Sequence, residues 1–402
     1  MHPHPYNTKT TWQPVALGIT TLFALSACGG SSSDSDSGAD ADDPAENTAI
    51  VRTVASDFGS GEVELIDLDG DPLTASGFFS GSPSDLAVST FANSYFLLER
   101  FQLDRIKRID LDDPSDVVWE YATIDEADDA SANPAQLVTL RDDKAYLLRE
   151  NSSRAWIVDP SADDEDDFKQ GELDLSAYVP DDNEAIDHPS MVGGVIVDDL
   201  LFVVMQRLDD DFEPTHPGYV AVFDTATDDE LDTHPSNDGL LGIELETRNP
   251  NDLEHHPDAG LFVHSVGDRA PDERIGGIER IDPFTFERET VLDERNINGL
   301  AIRDADSAFF FEYEGFGDIV LFPLDLDEGE PGDPVNGFSN QDLRDIEIGP
   351  DGQVWIANAE MGNPRVDIYN PETGTVDMVT TDLLPASIDF AGREEDELEG
   401  PE

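Results

Sequence analysis

Arg100, Arg149 and Arg207 each end a similar apolar run (YFLLER, YLLRE, LFVVMQR) in a chain with 91 acidic and only 22 basic residues. A guanidinium offers a planar fork of donors that suits a carboxylate or phosphate, so three brought together would hold an anionic ligand. The plainer reading pairs them with Glu99, Glu150 and Asp209 nearby. Histidine is the second group with chemistry in it. His188, His216, His234, His255, His256 and His264 are all the histidines beyond the N-terminal segment. Neutral imidazole ligates zinc and other transition metals, and His188 and His264 are the metal-ligand candidates. No HExxH spacing accompanies them, and coincidental surface histidines are the alternative.

Other chemistry has weaker signals. Asp67-Leu68-Asp69-Gly70-Asp71 alternates carboxylates around a glycine, as calcium loops do, but the rest of an EF-hand is missing. No GxSxG elbow, catalytic cysteine or phosphate-cradling glycine loop is present, so catalysis is open but not indicated. The formal net charge is -69, and Lys9, Lys107, Lys144 and Lys169 are the only lysines. Nucleic acid and anionic membrane surfaces need positive patches and are excluded as partners. Such self-repulsion is tolerable when concentrated salt screens it, which points to halophile adaptation. A calcium-loaded protein is the competing account.

The elements that must position these residues are short strands separated by Gly, Pro, Asp and Asn. A first-strand pattern recurs as PSDLAV from Pro83, PAQLVTL from Pro134, PSMVGGV from Pro189 and PNDLEHH from Pro250. It continues as INGLAIR from Ile297, LRDIEIG from Leu343 and PASIDF from Pro385. Six of the seven are followed by a second apolar strand and a third that ends near Asp or Asn, with a looser fourth. Four strands per unit is one propeller blade. The chain opens in mid-unit (AIVRTVAS, GEVELIDLDG) and closes on a lone first strand, so the two ends share a blade and remove open sheet edges. The expected fold is an all-β, seven-bladed propeller over residues 49–390; a β-helix would need shorter, more uniform rungs.

In such a ring, the loops into first strands and those joining second to third strands share one face. That face would gather a ligand-binding set of Arg100, Arg149, Arg207, Gln136, Gln206, Asp252, Asn298 and Asp345. Asp85, Met191, Glu312 and Asn358 would stand beside them.

The third strands Tyr219-Val-Ala-Val-Phe-Asp-Thr-Ala-Thr and Arg365-Val-Asp-Ile-Tyr-Asn-Pro-Glu-Thr-Gly resemble the YVTN-type (YncE-like) seven-bladed propellers. Proteins with this repeat include lactonases, regucalcin-like gluconolactonases and surface lipoproteins that capture a nutrient for an outer-membrane transporter. Asn298-Gly299-Leu300 and Asp345 resemble first-strand metal ligands of the regucalcin-like group, although its full ligand set cannot be placed. The resemblance implies either ligand capture or, as the alternative, a metal-dependent lactonase using a divalent ion such as calcium or zinc.

The N-terminus supplies an address. Lys9 precedes an apolar run from Val15 to Ala27 that is too short to span a bilayer. Leu25-Ser26-Ala27-Cys28 resembles the bacterial lipobox, and Cys28 is the only cysteine. Residues 1–28 then form a lipoprotein signal, 29–48 an acidic Ser/Gly/Asp tether and 391–402 an acidic tail. A protein lipidated at Cys28 would be held in the cell envelope, and in an organism with two membranes Gly29 after the cysteine fits outer-membrane sorting in the lipoproteins it resembles; a monomer is expected. Its partner would be an unknown small ligand or an envelope protein.

Overall fold

The computed structural model describes residues 47–392, except 129, 181–185, 210, 234–238 and 269–273. Cys28, the signal and tether, His234 and the tail from 393 lie outside the described residues. Seven antiparallel sheets follow one another around a ring. In blade 1 the innermost strand is Leu384–Phe390, followed outward by Thr48–Val54, Gly61–Asp67 and Ala75–Ser82. Ala49 pairs with Phe390 and Val54 with Leu384, so the two ends of the described chain close the ring in one blade.

The innermost strands of blades 2 to 7 are Leu86–Phe91, Pro134–Arg141, Met191–Val197, Pro250–His256, Ile297–Ile302 and Leu343–Ile348. Blade 6 departs from the pattern: Glu330–Pro331 and Ser339–Gln341 both pair with its third strand, Asp318–Asp325.

Second strands are buried on both faces because each blade is sandwiched between two others. Leu201 to Met205 are all fully buried, and such strands read as unbroken apolar runs. Between blades 3 and 4, Tyr146 and Leu148 pack on Met191, Leu201, Val203 and Met205. The same interdigitation repeats around the ring, so the core is a set of wedges between sheets rather than one central mass.

Six inner strands share a register shift at one repeat position: Pro134/Gln136, Met191/Gly193, Pro250/Asp252, Ile297/Gly299, Leu343/Asp345 and Pro385/Ser387. A bulge re-aims the side chain that follows it. Gln136 Oε1 thereby accepts Gly194 N–H of the next blade at 2.7 Å, and Asp345 Oδ2 accepts Ile388 N–H at 2.7 Å. Gly193 and Gly299 have no side chain to offer. In the blades after them, Leu253 N–H and Ile346 N–H are taken by Asp252 and Asp345, each bonding the residue that follows it. A Cβ on Gly193 would stand 2.2 Å from Asp252 Oδ1, so a side chain here would displace the Asp252 carboxyl.

Candidate functional site

Two cavities adjoin within the ring. A mouth of about 620 Å³ lies on the face where first strands begin and second strands end, and it opens into a channel of about 1330 Å³. Arg100, Ala135 and Val192 line both. The mouth is completed by Glu150, Gln206, Leu208, Asp211, Phe212, Glu213, Asn249, Asn251 and Asp268.

Of the residues expected on this face, Arg100 and Gln206 line the mouth, while Gln136, Asp252 and Asp345 line the channel. Arg149, Arg207, Asn298, His188 and His264 line neither. The three arginines therefore do not converge. Arg149 is 1% exposed, and its fork is consumed by Arg154 O (3.1 Å), Thr123 O (3.3 Å), Asp128 (2.7 Å) and Ser152 (3.0 Å). It also lies 4.3 Å from the centre of the Trp156 ring. Arg207 Nε donates to Tyr178 O at 2.7 Å and Nη1 to Pro217 O at 3.1 Å, with the guanidinium over Tyr219.

The physical reason is the sandwich. A side chain at the end of a second strand leaves from one of two covered sheet faces. Arg149, like Leu147 two places earlier, leaves from the face covered by the preceding blade, so it points into the wedge and not toward the axis. Glu312, on Arg274 and Arg295, and Asn358, on Asp367 and Gln341, are consumed in the same way. Met191 belongs to the apolar core.

Arg100 alone reaches the mouth, and it arrives neutralised. It is ion-paired with Glu150, stands 3.6 Å from Asp85 and donates Nε to Pro134 O at 3.2 Å. Of the expected partners, Glu150 is used; Glu99 instead pairs with Lys107, and Asp209 caps its own loop through Asp211 N–H and Glu213 N–H. Among the described lining residues, Glu150, Asp211, Glu213 and Asp268 stand against one arginine, so the mouth offers many acceptors. Asn249 is buried with φ 56°, gives Nδ2–H to Gly267 O at 2.9 Å, and leaves Oδ1 without a partner among the described residues.

Deeper in, Asp252 has its carboxyl raised to about 7, first by burial and then by Asp345 and Asp389. Burial also raises Asp345, against the pull of Arg52. Arg52 itself is lowered to about 10, chiefly by burial and then by Arg100; it donates to Ser387 Oγ at 3.1 Å and Ala386 O at 3.3 Å. Arg52 and Asp389 were not expected here. The available signal was an arginine interrupting the apolar run AIVRTVAS and an aspartate two places beyond Ser387.

The metal candidates lie apart from this site. His264 pairs in register with Asp252, but burial lowers its imidazole to about 4, and its Nδ1 has no partner among the described residues. His188 bonds Ser190 (3.2 Å) and stands 3.3 Å from Asp187. Asp67 accepts the Asp69 amide in a tight turn and Asp69 accepts Asn47, so both follow local turn geometry. No grouping of three or more His, Cys, Asp or Glu side chains able to hold a metal occurs among the described residues.

No protein-family model matches this chain, and no curated protein sequence matches it either. Solved structures do. A 6-phosphogluconolactonase candidate of Bacteroides uniformis superposes with TM-score 0.56 at 13% identity, over 86% of this chain and 100% of that one. A second such candidate, from Bacteroides fragilis, gives 0.56 at 11% identity over 88% and 99%. A protein of Lactobacillus plantarum gives 0.54 at 15% over 86% and 99%. At these identities the likeness establishes the architecture: the chain is a seven-bladed β-propeller.

Proposed function

We propose that this propeller is a binding protein that captures a small polar ligand in the mouth of its upper face, the ligand being neutral and hydroxyl-rich or cationic. The observation that carries the reading is the chemistry of the mouth among the described residues: one neutralised arginine, several carboxylates, a buried Asn249 Oδ1 with no partner among them, and the Gln206 and Asn251 amides. Acceptors of this kind suit hydroxyl and ammonium donors, and concave sites with a few convergent polar groups are where ligands bind. An anionic ligand, which three converging arginines would have suited, would meet several carboxylates and one arginine among the described residues here.

The wider reading is a YVTN-type lipoprotein, anchored through Cys28 at the outer membrane and adapted to high salt. The lipobox-like sequence and the -69 charge support it. The alternative is a metal-dependent lactonase, for which the raised Asp252 carboxyl would be the acid–base candidate. Thermal midpoints measured with choline, glucose and gluconate, alongside gluconolactone hydrolysis with and without calcium or zinc, test these readings. The proposal expects stabilisation by choline or glucose and little by gluconate. Metal-dependent hydrolysis abolished by Asp252→Asn would replace it with the lactonase.

A further inference from the structure

The upper rim carries an apolar crown in an otherwise acidic molecule. Six of the seven loops joining second to third strands present a large exposed apolar side chain: Phe58, Phe101, Phe212, Ile275, Phe316 and Met361, from 38% (Ile275) to 88% (Phe316) exposed. Only the blade 3 loop, Glu150 to Ser153, lacks one. Among the described residues, Val118, Leu241 and Phe284 are the large exposed apolar side chains in connections from third to fourth strands. Scattered single apolar residues need no explanation, but a set repeated on one face around a cavity marks an interaction surface.

The backbone adds a second observation. Phe58 and Phe212 sit at φ 55° and 61°, the left-handed region that bulky residues disfavour. Phe286, at φ 59°, packs on Phe202 and so has a reason within the fold. Phe212 is three-quarters exposed and has no such return. Phe316 stands on a hairpin tip between Gly315 (φ 154°) and Gly317 (φ 71°), which holds the ring out into solvent.

Five of the six tips have a carboxylate beside them: Asp57 adjoins Phe58, Asp85 in the neighbouring first-strand loop accepts the Phe101 amide, Asp211 and Glu213 flank Phe212, Glu314 and Asp318 flank Phe316, and Glu360 precedes Met361. Ile275 instead follows Arg274. Apolar anchors inside an acidic rim complement apolar sockets inside a basic rim. A second copy of this chain would bring like charges together, and an anionic membrane would be repelled.

We infer that the crown docks a protein partner whose contact face has apolar sockets rimmed by lysine or arginine, seated over the ligand mouth. The inference rests on the upper face being the working face, but not on the identity of any small ligand. In salt strong enough to screen the charges, the apolar tips supply the attachment.

The test uses an immobilised leucine/lysine amphipathic peptide as probe, with serine/lysine and leucine/glutamate versions and phosphatidylcholine vesicles as comparisons. Wild type should bind the leucine/lysine peptide at least about tenfold more tightly than either variant peptide. Combined Phe101→Ser, Phe212→Ser and Phe316→Ser should lose about tenfold or more, while Phe284→Ser on the opposite face should lose nothing. Should the triple variant lose thermal stability, Phe316→Ser alone serves, since that ring touches little of the fold. Equal binding to the serine/lysine peptide, equal loss in Phe284→Ser, an unaffected triple variant, or vesicle binding that the triple variant abolishes would each overturn the inference. Failure here with choline or glucose still stabilising the protein leaves the ligand reading intact; the reverse result leaves the crown.

Discussion

On the lower face, five of the seven third strands end in Asp159, Asp224, Asp282, Asp325 and Asn370, and each side chain accepts backbone amides of the tight turn that follows. On the upper face the loops vary in length, the strand-end polar groups turn inward into the wedges, and apolar tips are left at the rim. One face uses its carboxylates to set turn geometry, as Asx-turns do; the other leaves amides and carboxylates facing a cavity. The same residue type therefore means different things at the two ends of a strand. The aspartates of the lower turns are already engaged, whereas Gln206, Asn249 and Asn251 stand at the mouth.

Arg149 gives the largest expected effect. Arg149→Ala should cost about 3–5 kcal/mol of stability, because it strands Asp128 beside a buried void. Arg100→Ala, at the partly exposed mouth, should cost about 1 kcal/mol or less and alter ligand stabilisation instead. Denaturant unfolding of both variants checks the contrast, and comparable losses would erase the distinction between wedge and mouth. Salt comes next. Midpoints should rise by several degrees between dilute buffer and molar sodium or potassium chloride, as self-repulsion is screened. A rise produced only by calcium and reversed by chelator would favour a calcium-loaded protein.

Asp252 provides a smaller, pH-dependent effect. Its carboxyl titrates near 7 in the fold and near 4 in an unfolded chain. Over that interval the folded state holds the extra proton, so stability falls as pH rises from about 4 to about 7. Asp252→Asn keeps an oxygen for Leu253 N–H and removes the ionisation. It should stabilise by about 1–2 kcal/mol above neutral pH, and the gain should vanish near pH 4. A gain unchanged across that range would place its origin elsewhere.

The smallest effect belongs to the lower turns. Asp282 accepts Phe284 N–H and Thr285 N–H, both at 2.9 Å, and these bonds lower its carboxyl. Its contribution is present above the ordinary carboxylate range and lost as pH falls through the lowered value. Asp282→Ala should cost about 0.5–1 kcal/mol, with ligand stabilisation unchanged.

Much of the architecture is legible in the chain. The recurring first strands from Pro83 to Pro385 mark seven blades, and the fragmentary ends mark the shared one, because short apolar strands with turn residues between them fit few closed sheets. The direction of individual side chains is not legible. Arg100 and Arg149 end nearly identical runs, yet Arg149 meets Asp128, some twenty residues earlier in the preceding loop, and is drawn into the wedge. The bulge that aims Gln136 and Asp345 across blades depends on pairing with the second strand, which the spacing of apolar residues does not encode. Phe316 in EGFGD is the opposite case, since an aromatic ring between two turn glycines is visibly unable to reach a core.

Hydrogen exchange measured with choline, glucose and gluconate as probes tests the working-face claim most directly. The account predicts that choline or glucose slows exchange in the Gln206–Glu213 and Asn249–Asn251 segments, with gluconate weaker, and leaves the Asp282–Glu287 turn unchanged. Protection confined to the lower turns, or stronger protection by gluconate than by either of the others, would contradict it.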